Sequence, residues 1–431
     1  MRIPTPIARV LDVVTYCGLA VLILGLLPAV GGCGSGASGV DDTPVDVDGV
    51  NDGPVDNGGS VVVDGNRDSS VTSALGKTSG EPNDAFSRPV VAVFDSTGVA
   101  RLQGTIPYEG DLDVFLLGPL DRGDRIVVDT DTTEVGSMLD ISVAIFDSAE
   151  RLVYGNDDRT DTDFDSYIDW VVRTFDDSYY LVVTHSAFAP TGRFTGTYYV
   201  DIQIAGGYDV PEPVGQILML DFDGGLVDSP TLGTMRIFPF NAAAISPVYR
   251  GQDETLKQLI REAVEQNYER FDVTVITSDD PPPGSNVQYS TIYFGGFNAG
   301  AFGIAENVDL YNVDFCDDAI IYTESFTPSV FSITPTVEEL AVGIGNIAAH
   351  EAGHLLGLNH VSDDDAIMDD RSPADAFLLD QEFMEAPLSS DIMSIGTQDA
   401  VMLLDLIVGP HSIQDARALA RLSKRTWWRE R

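Results

Sequence analysis

The sequence predicts a multidomain protein in which an all-β sandwich precedes an α+β domain with a mixed sheet. Three observations predict this fold class. Over residues 80–206, short segments with apolar side chains at every second position follow one another, with no helical stretch between them. Over residues 207–410, strand patterns alternate with two long helical patterns. The second helical pattern ends in HEAGHLLGLNH, residues 350–360, which contains three of the five histidines in the chain.

The composition of the chain is strongly acidic. It has 24 Lys and Arg against 68 Asp and Glu among 431 residues, for a formal net charge of -44. Such a surface would repel a phosphate backbone, so nucleic acid is excluded as a partner. An Asp-rich, Lys-poor surface suits a secreted protein in a salty medium, where charge is screened, and it equally fits a surface that is merely solubilising.

Residues 1–32 have the pattern of an export signal rather than of a folded element. Two arginines precede an apolar run from Gly18 to Val30, which is too short for a transmembrane helix and contains a proline. The run ends in VGGC and resembles a bacterial lipoprotein signal. That resemblance implies that Cys33 becomes the lipid-modified first residue and holds the protein to a membrane, outside the cytoplasm. Plain secretion and a retained membrane anchor are the alternatives.

Two further segments have compositions that set them apart from the domains. Residues 33–79 consist mainly of Gly, Ser, Asp and Val with almost no aromatic residues, and are predicted to form a flexible acidic tether. Residues 411–431 contain the only basic run, ARALARLSKRTWWRER. This tail is interpreted as disordered or as folding back on the acidic body, and membrane-surface contact through its tryptophans is a third interpretation.

The sandwich prediction depends on five segments that carry β-branched or aromatic residues at period two: DVFLLG, RIVVDT, ISVAIFD, SYYLVVTH and GTYYVDIQI. Five motifs in the same region, EPND, GDLDVF, LDISVAIFD, GNDD and TGTYYV, follow in the order typical of the bacterial pre-peptidase C-terminal domain. The region therefore resembles that family, which accompanies secreted peptidases.

That resemblance implies a calcium site in the sandwich. Some members of the family bind calcium through the acidic positions of EPND and GDxD, and calcium prefers hard oxygen ligands. The matching residues here are Glu81, Asn83, Asp84, Asp111 and Asp113. The alternative is that these residues are ordinary turn and cap residues.

The second domain is predicted to begin, after a linker rich in Gly and Pro, with the strand ILMLDFDG. A first helix follows within DETLKQLIREAVEQNYERF, and its apolar face consists of Leu256, Ile260, Val264 and Tyr268. The segments DVTVITS, YSTIYFGG, GIAENVDL and DDAIIYTE come next. A second helix is predicted from Thr336 to Leu356, with Thr336 and Glu339 forming a capping box at its start.

The end of the second helix predicts a metal centre. His350 and His354 lie one turn apart on the same helix face, and imidazole nitrogens suit zinc. Glu351 follows the first of them and therefore points beside the metal. Gly357 can adopt the left-handed conformation that ends a helix, which returns His360 as a third ligand. Three nitrogens and a water are typical of catalytic zinc, because one position stays exchangeable.

HEAGHLLGLNH resembles the active-site motif of the metzincin metallopeptidases and matches it at every defined position. The resemblance implies a methionine turn beneath the metal. Met368 lies eight residues after His360, which is the spacing of the matrixin branch. Met393 is a rival, but its surroundings resemble the lead-in to the family's C-terminal helix, which favours Met368. Asp370 stands where the astacin-like and serralysin-like branches place a tyrosine, so no tyrosine ligand is implied.

The function implied is zinc-dependent hydrolysis of peptide bonds in a protein or peptide substrate. Zinc lowers the pKa of a bound water to about 7, and Glu351 is expected to take its proton. GIAENVDL is expected to supply an edge strand for the substrate. One alternative is a surface binding or adhesion protein whose zinc-loaded domain does not cleave, although the intact Glu351 argues against it. Zinc-dependent hydrolysis of a non-peptide bond is another.

Overall fold

The computed structural model describes residues 83–160 and 162–411. The predicted export signal with Cys33, the acidic tether, Glu81 and the basic tail after residue 411 lie outside the described residues. Within the two described ranges, no helix combines the length and the apolar character that a bilayer crossing requires.

The first domain consists of nine strands in two sheets. The strands are β1 (Val90–Val91), β2 (Val99–Ile106), β3 (Asp113–Leu120), β4 (Arg125–Asp131), β5 (Ile141–Phe146), β6 (Leu152–Asn156), β7 (Tyr167–Val171), β8 (Asp176–His185) and β9 (Gly196–Ala205). One sheet has the order β1-β3-β8-β5-β6 and the other the order β2-β9-β4-β7. All neighbours are antiparallel except β1 and β3, which are parallel.

Apolar side chains from the inner faces of both sheets fill the space between them, as the period-two alternation predicted. Strand β2 alternates between half-buried and buried residues along its whole length. The buried set includes Ile106, Phe115, Ile126, Val143, Leu181 and Val200. Removal of this apolar surface from water stabilises the sandwich.

The second domain is built on a mixed sheet. Its strands are β10 (Gln216–Asp221), β11 (Leu226–Ser229), β12 (Gly233–Arg236), β13 (Val273–Thr277), β14 (Ser290–Phe294), β15 (Gly303–Ala305), β16 (Asp318–Ile321), β17 (Glu385–Pro387) and β18 (Thr397–Asp399). The main sheet has the order β13-β10-β14-β16-β15, and β15 is an antiparallel edge strand on four parallel ones. Strands β11 with β12 and β17 with β18 form two small antiparallel pairs.

Four α-helices pack with these strands: α1 (Ala242–Ile245), α2 (Asp253–Asn267), α3 (Val337–Leu355) and α4 (Ala400–Ile407). Short 3-10 helices cover Pro247–Tyr249, Thr323–Ser325, Pro328–Val330 and Ala376–Leu378. The predicted fold class, an all-β sandwich followed by an α+β domain, is confirmed.

The two long helices form where the sequence predicts them. The apolar face of α2 is buried at Leu256, Ile260 and Val264. At the start of α3, the hydroxyl of Thr336 accepts a hydrogen bond from the Glu339 backbone N–H at 3.1 Å, and the Glu339 carboxylate accepts one from the Thr336 N–H at 2.8 Å. The predicted capping box is therefore confirmed, and it fixes where the metal-site helix begins.

The two domains are in direct contact. The hydroxyl of Tyr311 in the second domain donates a hydrogen bond to the Val153 carbonyl of the sandwich at 2.8 Å, and its ring stacks on Tyr154. The Arg173 guanidinium lies 4.1 Å from the centroid of the Tyr311 ring and donates to the Leu406 carbonyl at 2.5 Å. Polar and aromatic contacts together therefore hold the sandwich against the second domain.

Candidate metal centre

The end of α3 brings three histidines together. His350 and His354 lie on the buried face of this helix, and the chain then turns at Gly357, which has φ of 88°. A Cβ atom at Gly357 would lie 2.8 Å from the Asp309 carbonyl oxygen, so a side chain does not fit there. The turn returns His360 toward the helix, and all three imidazoles are buried.

The Nε2 atoms of the three imidazoles converge. They are 3.1 Å apart between His350 and His354, 3.0 Å apart between His354 and His360, and 3.2 Å apart between His350 and His360. Among the described residues, these three histidines each offer one possible ligand atom, and those atoms all lie within 4.8 Å of one another. Such a set of nitrogens can hold one small cation.

Backbone carbonyls fix which ring nitrogen carries the proton. Nδ1 of His350 lies 2.7 Å from the Ile367 carbonyl oxygen, and Nδ1 of His354 lies 2.7 Å from that of Leu358. A carbonyl can only accept, so each Nδ1 is protonated and each Nε2 presents its lone pair to the centre. Burial lowers the pKa of His354 to about 3, helped by the neighbouring His350, and lowers that of His360 well below its ordinary value. The imidazoles are therefore neutral, as metal ligation requires.

Glu351 follows His350 on α3, and part of its carboxylate is unpaired. It is 2% exposed, and Oε2 has no hydrogen-bond partner among the described residues. Burial raises the pKa of Glu351 to about 8, against the lowering effect of the Ala305 backbone N–H. A Cβ atom at Gly303 would lie 2.5 Å from Oε1. The carboxylate therefore packs directly on the edge strand β15, where only glycine leaves room for it.

The two candidate methionines lie in different places. Met368 packs directly against α3. A Cβ atom added at Gly353 of this helix would lie 2.5 Å from the Met368 sulfur. Its own carbonyl accepts from the Val361 N–H at 2.9 Å, next to His360. Met393 instead belongs to an apolar cluster with Phe146 and other sandwich residues. Met368 thus packs against the helix that carries His350 and His354, and its role as the methionine turn stays a prediction.

Sequence reasoning missed two polar residues that support this centre. Asp369 accepts hydrogen bonds from the backbone N–H groups of Asp363, Arg371 and Ser372, at 2.6–3.0 Å, and so ties down the turn that carries Met368. Gln398, which is fully buried, contacts the backbone beside His360. The Asp-rich run around Met368 is a turn signal that could have indicated Asp369. No local pattern marks Gln398.

The residues of the predicted calcium site are placed as follows. Asn83 donates to Asp113 Oδ1 at 2.9 Å, and Tyr198 donates to Asp113 Oδ2 at 2.5 Å. Asp111 is buried beside them and Asp84 is half-buried, while Glu81 lies outside the described residues. Both carboxylate oxygens of Asp113 therefore accept from uncharged donors, and calcium binding here stays a prediction.

The fold and the site indicate the class of metal-dependent hydrolases. Three histidines converge, and a buried carboxylate follows the first of them in the sequence. The matrixin family model (peptidase M10) matches residues 146–382, which is more than half of the chain. The protein therefore belongs to the matrixin family and is a zinc metallopeptidase by that membership. The match begins at the last residue of β5, inside the sandwich.

Similarities to solved structures cover each domain separately. A zinc-dependent peptidase from Methanocorpusculum labreanum is 14% identical, with a TM-score of 0.25, and the match covers 44% of this chain and 99% of that one. The pre-peptidase C-terminal domain of a collagenase from Bacillus anthracis is 11% identical, with a TM-score of 0.20 and coverage of 27% and 94%.

The lysozyme inhibitor PliG from Aeromonas hydrophila is 17% identical, with a TM-score of 0.21 and coverage of 27% and 96%. No curated protein matches the chain in sequence. Since all three TM-scores are below 0.5, the functional conclusion depends on the family match and on the site itself.

Proposed function

We propose that the protein is an extracytoplasmic zinc endopeptidase in which Glu351 activates the attacking water. The observation that carries this proposal is the convergence of three Nε2 atoms, 3.0–3.2 Å apart, with the buried Glu351 next to His350 in the sequence. His350, His354 and His360 would hold the zinc ion. When bound, zinc supplies a Lewis acid and a water whose pKa is about 7.

The role of Glu351 follows from its surroundings. Its carboxylate is held between α3 and β15, and its unpaired oxygen can accept a proton from the attacking water. The same group then returns the proton to the leaving amine, so that one carboxylate serves both halves of the reaction. Burial raises the pKa of Glu351, so this carboxylate holds an accepted proton more strongly than an exposed glutamate does.

The substrate is proposed to bind as an extended peptide along β15. This strand is the last one in its sheet, and β16 pairs with one edge of it only. An extended peptide can add to the other edge through main-chain hydrogen bonds, which are independent of the side chains present. Because Gly303 of β15 contacts Glu351, a peptide on this edge would pass beside the proposed base.

The decisive test is Glu351→Gln in the full chain, with an unstructured protein such as casein as substrate. Gln has nearly the same shape but cannot accept the proton, so turnover is expected to fall about 10²–10⁴-fold while zinc content stays at that of the wild type. Glu338→Gln, an exposed position on the same helix, is the matched control and should cleave normally.

Two results would contradict the proposal. If Glu351→Gln retains zinc and cleaves casein at the wild-type rate, Glu351 is not the base. If the wild type contains zinc but cleaves no member of a peptide library, a surface binding or adhesion protein becomes the better account.

The cellular location is proposed from the N-terminal signal. Cys33 is proposed to carry the lipid that holds the protein to the outside of a membrane. Intact-mass spectrometry of membrane-extracted protein should then find a chain that begins at an acylated Cys33. An unmodified N-terminus in the culture medium would indicate plain secretion instead.

A calcium ion is proposed for the sandwich on the resemblance alone. Addition of calcium to the metal-free protein should raise the temperature of thermal unfolding, because a ligand that binds only the folded state stabilises it. Asp111→Asn should reduce this effect. No change in the wild type up to millimolar calcium would mean that Asn83, Asp84, Asp111 and Asp113 are turn and cap residues.

A further inference from the structure

The third histidine has a support that the other two lack, and it comes from a distant part of the chain. His350 and His354 are positioned by α3, whereas His360 lies in the segment after the helix. The residue before it, Asn359, is held on both sides by one buried amide. Gln398 Oε1 accepts from the Asn359 N–H at 2.7 Å, and Gln398 Nε2 donates to the Asn359 carbonyl at 2.8 Å.

Gln398 is the middle residue of the short strand β18, and this strand is attached to the sandwich. The Thr397 N–H donates to the Glu150 carbonyl at 3.0 Å, and Thr397 forms a parallel bridge with Arg151. The Arg151 guanidinium also reaches the Asp399 carboxylate at 3.5 Å. Both flanks of Gln398 are therefore held by the turn between β5 and β6.

The Arg151 side chain is itself fixed. Its guanidinium lies 2.8 Å from the Asp147 carboxylate, and Arg151 is half-buried. Burial lowers the pKa of Arg151 and the ion pair with Asp147 raises it, with a net rise, so the guanidinium is charged. The sandwich thus presents a rigid, charged contact to β18 rather than a loose surface loop.

We propose that the β-sandwich positions the third metal ligand, with Gln398 and Arg151 as positioning residues. The route runs from the β5–β6 turn through β18 to the Asn359 peptide and so to His360. Groups that orient metal ligands typically change metal affinity or activity about 10–100-fold when they are removed. The sandwich then helps to set the geometry of the metal centre. This inference rests on the zinc binding proposed above.

The experiment measures the rate at which zinc passes from the full-length protein to a chromogenic chelator. Gln398→Met keeps the size of the side chain and removes both hydrogen bonds, so zinc release should become about 10-fold faster. Gln398→Glu keeps the acceptor for the Asn359 N–H and loses the donor, so its release rate should lie between those of Gln398→Met and the wild type.

The role of the sandwich is tested with two matched arginines. Arg151→Met removes the side-chain contact with Asp399 of β18 and leaves the backbone contact with Thr397, so zinc release should become faster by less than the about 10-fold expected for Gln398→Met. Arg173→Met breaks a contact between the same two domains, to Leu406 and Tyr311, and leaves both hydrogen bonds of Gln398 to Asn359 in place. It should lower the unfolding temperature without changing zinc release.

A double variant decides whether Arg151 acts through Gln398. If it does, adding Arg151→Met to Gln398→Met should leave the zinc release rate unchanged, because the shared route is already broken. Equal effects of Arg151→Met and Arg173→Met, or additive effects in the double variant, would overturn the proposal. A wild type that binds no zinc would instead contradict the proposed function, so the two failures are distinct.

Discussion

Each domain buries a cluster of polar side chains, and the two clusters are built differently. In the sandwich, both carboxylate oxygens of Asp113 accept hydrogen bonds, one from Asn83 and one from Tyr198. In the second domain, the Nε2 atoms of His350, His354 and His360 converge at 3.0–3.2 Å. The carboxylate of Asp113 is paired with donors, whereas the second cluster brings ring nitrogens together.

This difference separates the Asp113 carboxylate, whose two oxygens have donors, from the three converging imidazoles. A buried carboxylate with its donors in place is satisfied and stabilises one arrangement of the strands around it. The Nε2 lone pairs of His350 and His354 face one another without a donor on either, which is unfavourable until a cation binds. Both clusters are buried, and they differ in how hydrogen-bond donors and acceptors are arranged within them.

The largest expected effect is the loss of the metal itself. His354→Ala removes one of three ligands, so zinc content should fall from about one ion per chain to near zero, as elemental analysis after dialysis would show. His185→Ala is the matched control in the sandwich, where Nε2 of His185 accepts from the Gly110 N–H. A normal zinc content in His354→Ala would remove the distinction drawn between the two clusters.

The next largest effect concerns the space around the proposed base. In Gly303→Ala the new methyl group would lie 2.5 Å from Glu351 Oε1 and displace the carboxylate. Casein cleavage should fall about 10²-fold, the usual effect of a misplacement of about 1 Å, with zinc retained. Gly300→Ala, where the nearest atom is 3.7 Å away, should be neutral. Equal activities of the two variants would show that β15 does not position Glu351.

A smaller effect is expected from Asp157 in the sandwich. Burial, with a smaller contribution from the charges of Asp158 and Asp140, raises the pKa of Asp157 to about 7 from an ordinary value of 3.8. The folded state therefore binds the proton more tightly than the unfolded state does. The stability associated with this proton is full below pH 3.8 and is lost as the pH rises through about 7.

Denaturant unfolding between pH 4 and pH 8 checks this expectation. In the wild type, the free energy of unfolding should fall as the pH rises, by less than about 1.4 kcal/mol per pH unit, which is the limit for one proton. Asp157→Asn should flatten this fall. The exposed Asp177→Asn serves as the control and should retain the wild-type curve. Parallel curves for the wild type and Asp157→Asn would mean that Asp157 is ionised throughout.

The smallest effect is expected at the Asp113 carboxylate in the sandwich. Tyr198→Phe removes one donor from Asp113, so the free energy of unfolding should fall by about 1–3 kcal/mol while zinc content and casein cleavage stay unchanged. Tyr199→Phe, on the opposite face of the same strand, should change stability by less than about 0.5 kcal/mol. Loss of zinc in Tyr198→Phe would show that the two clusters are coupled.

Local features of this protein were predictable, and features that join distant residues were not. The capping box at Thr336 and the convergence of the histidines follow from short spacings along one helix and the turn after it. The spacing to His360 favours Met368 over Met393, and the contact of Met368 with Gly353 adds that it packs against α3. Gln398 carries no local signal, since its partner Asn359 lies 39 residues away.

The attachment of β18 to the sandwich also fixes the order in which the metal centre is completed during synthesis. Arg151 is made early, and its partner Asp399 follows 248 residues later. The three histidines are made before Gln398, so a growing chain carries its ligands for a time without the support of His360. Closing so long a loop adds only a modest entropic penalty, because that penalty grows with the logarithm of loop length. The support of His360 is therefore completed only when almost the whole described chain has been made.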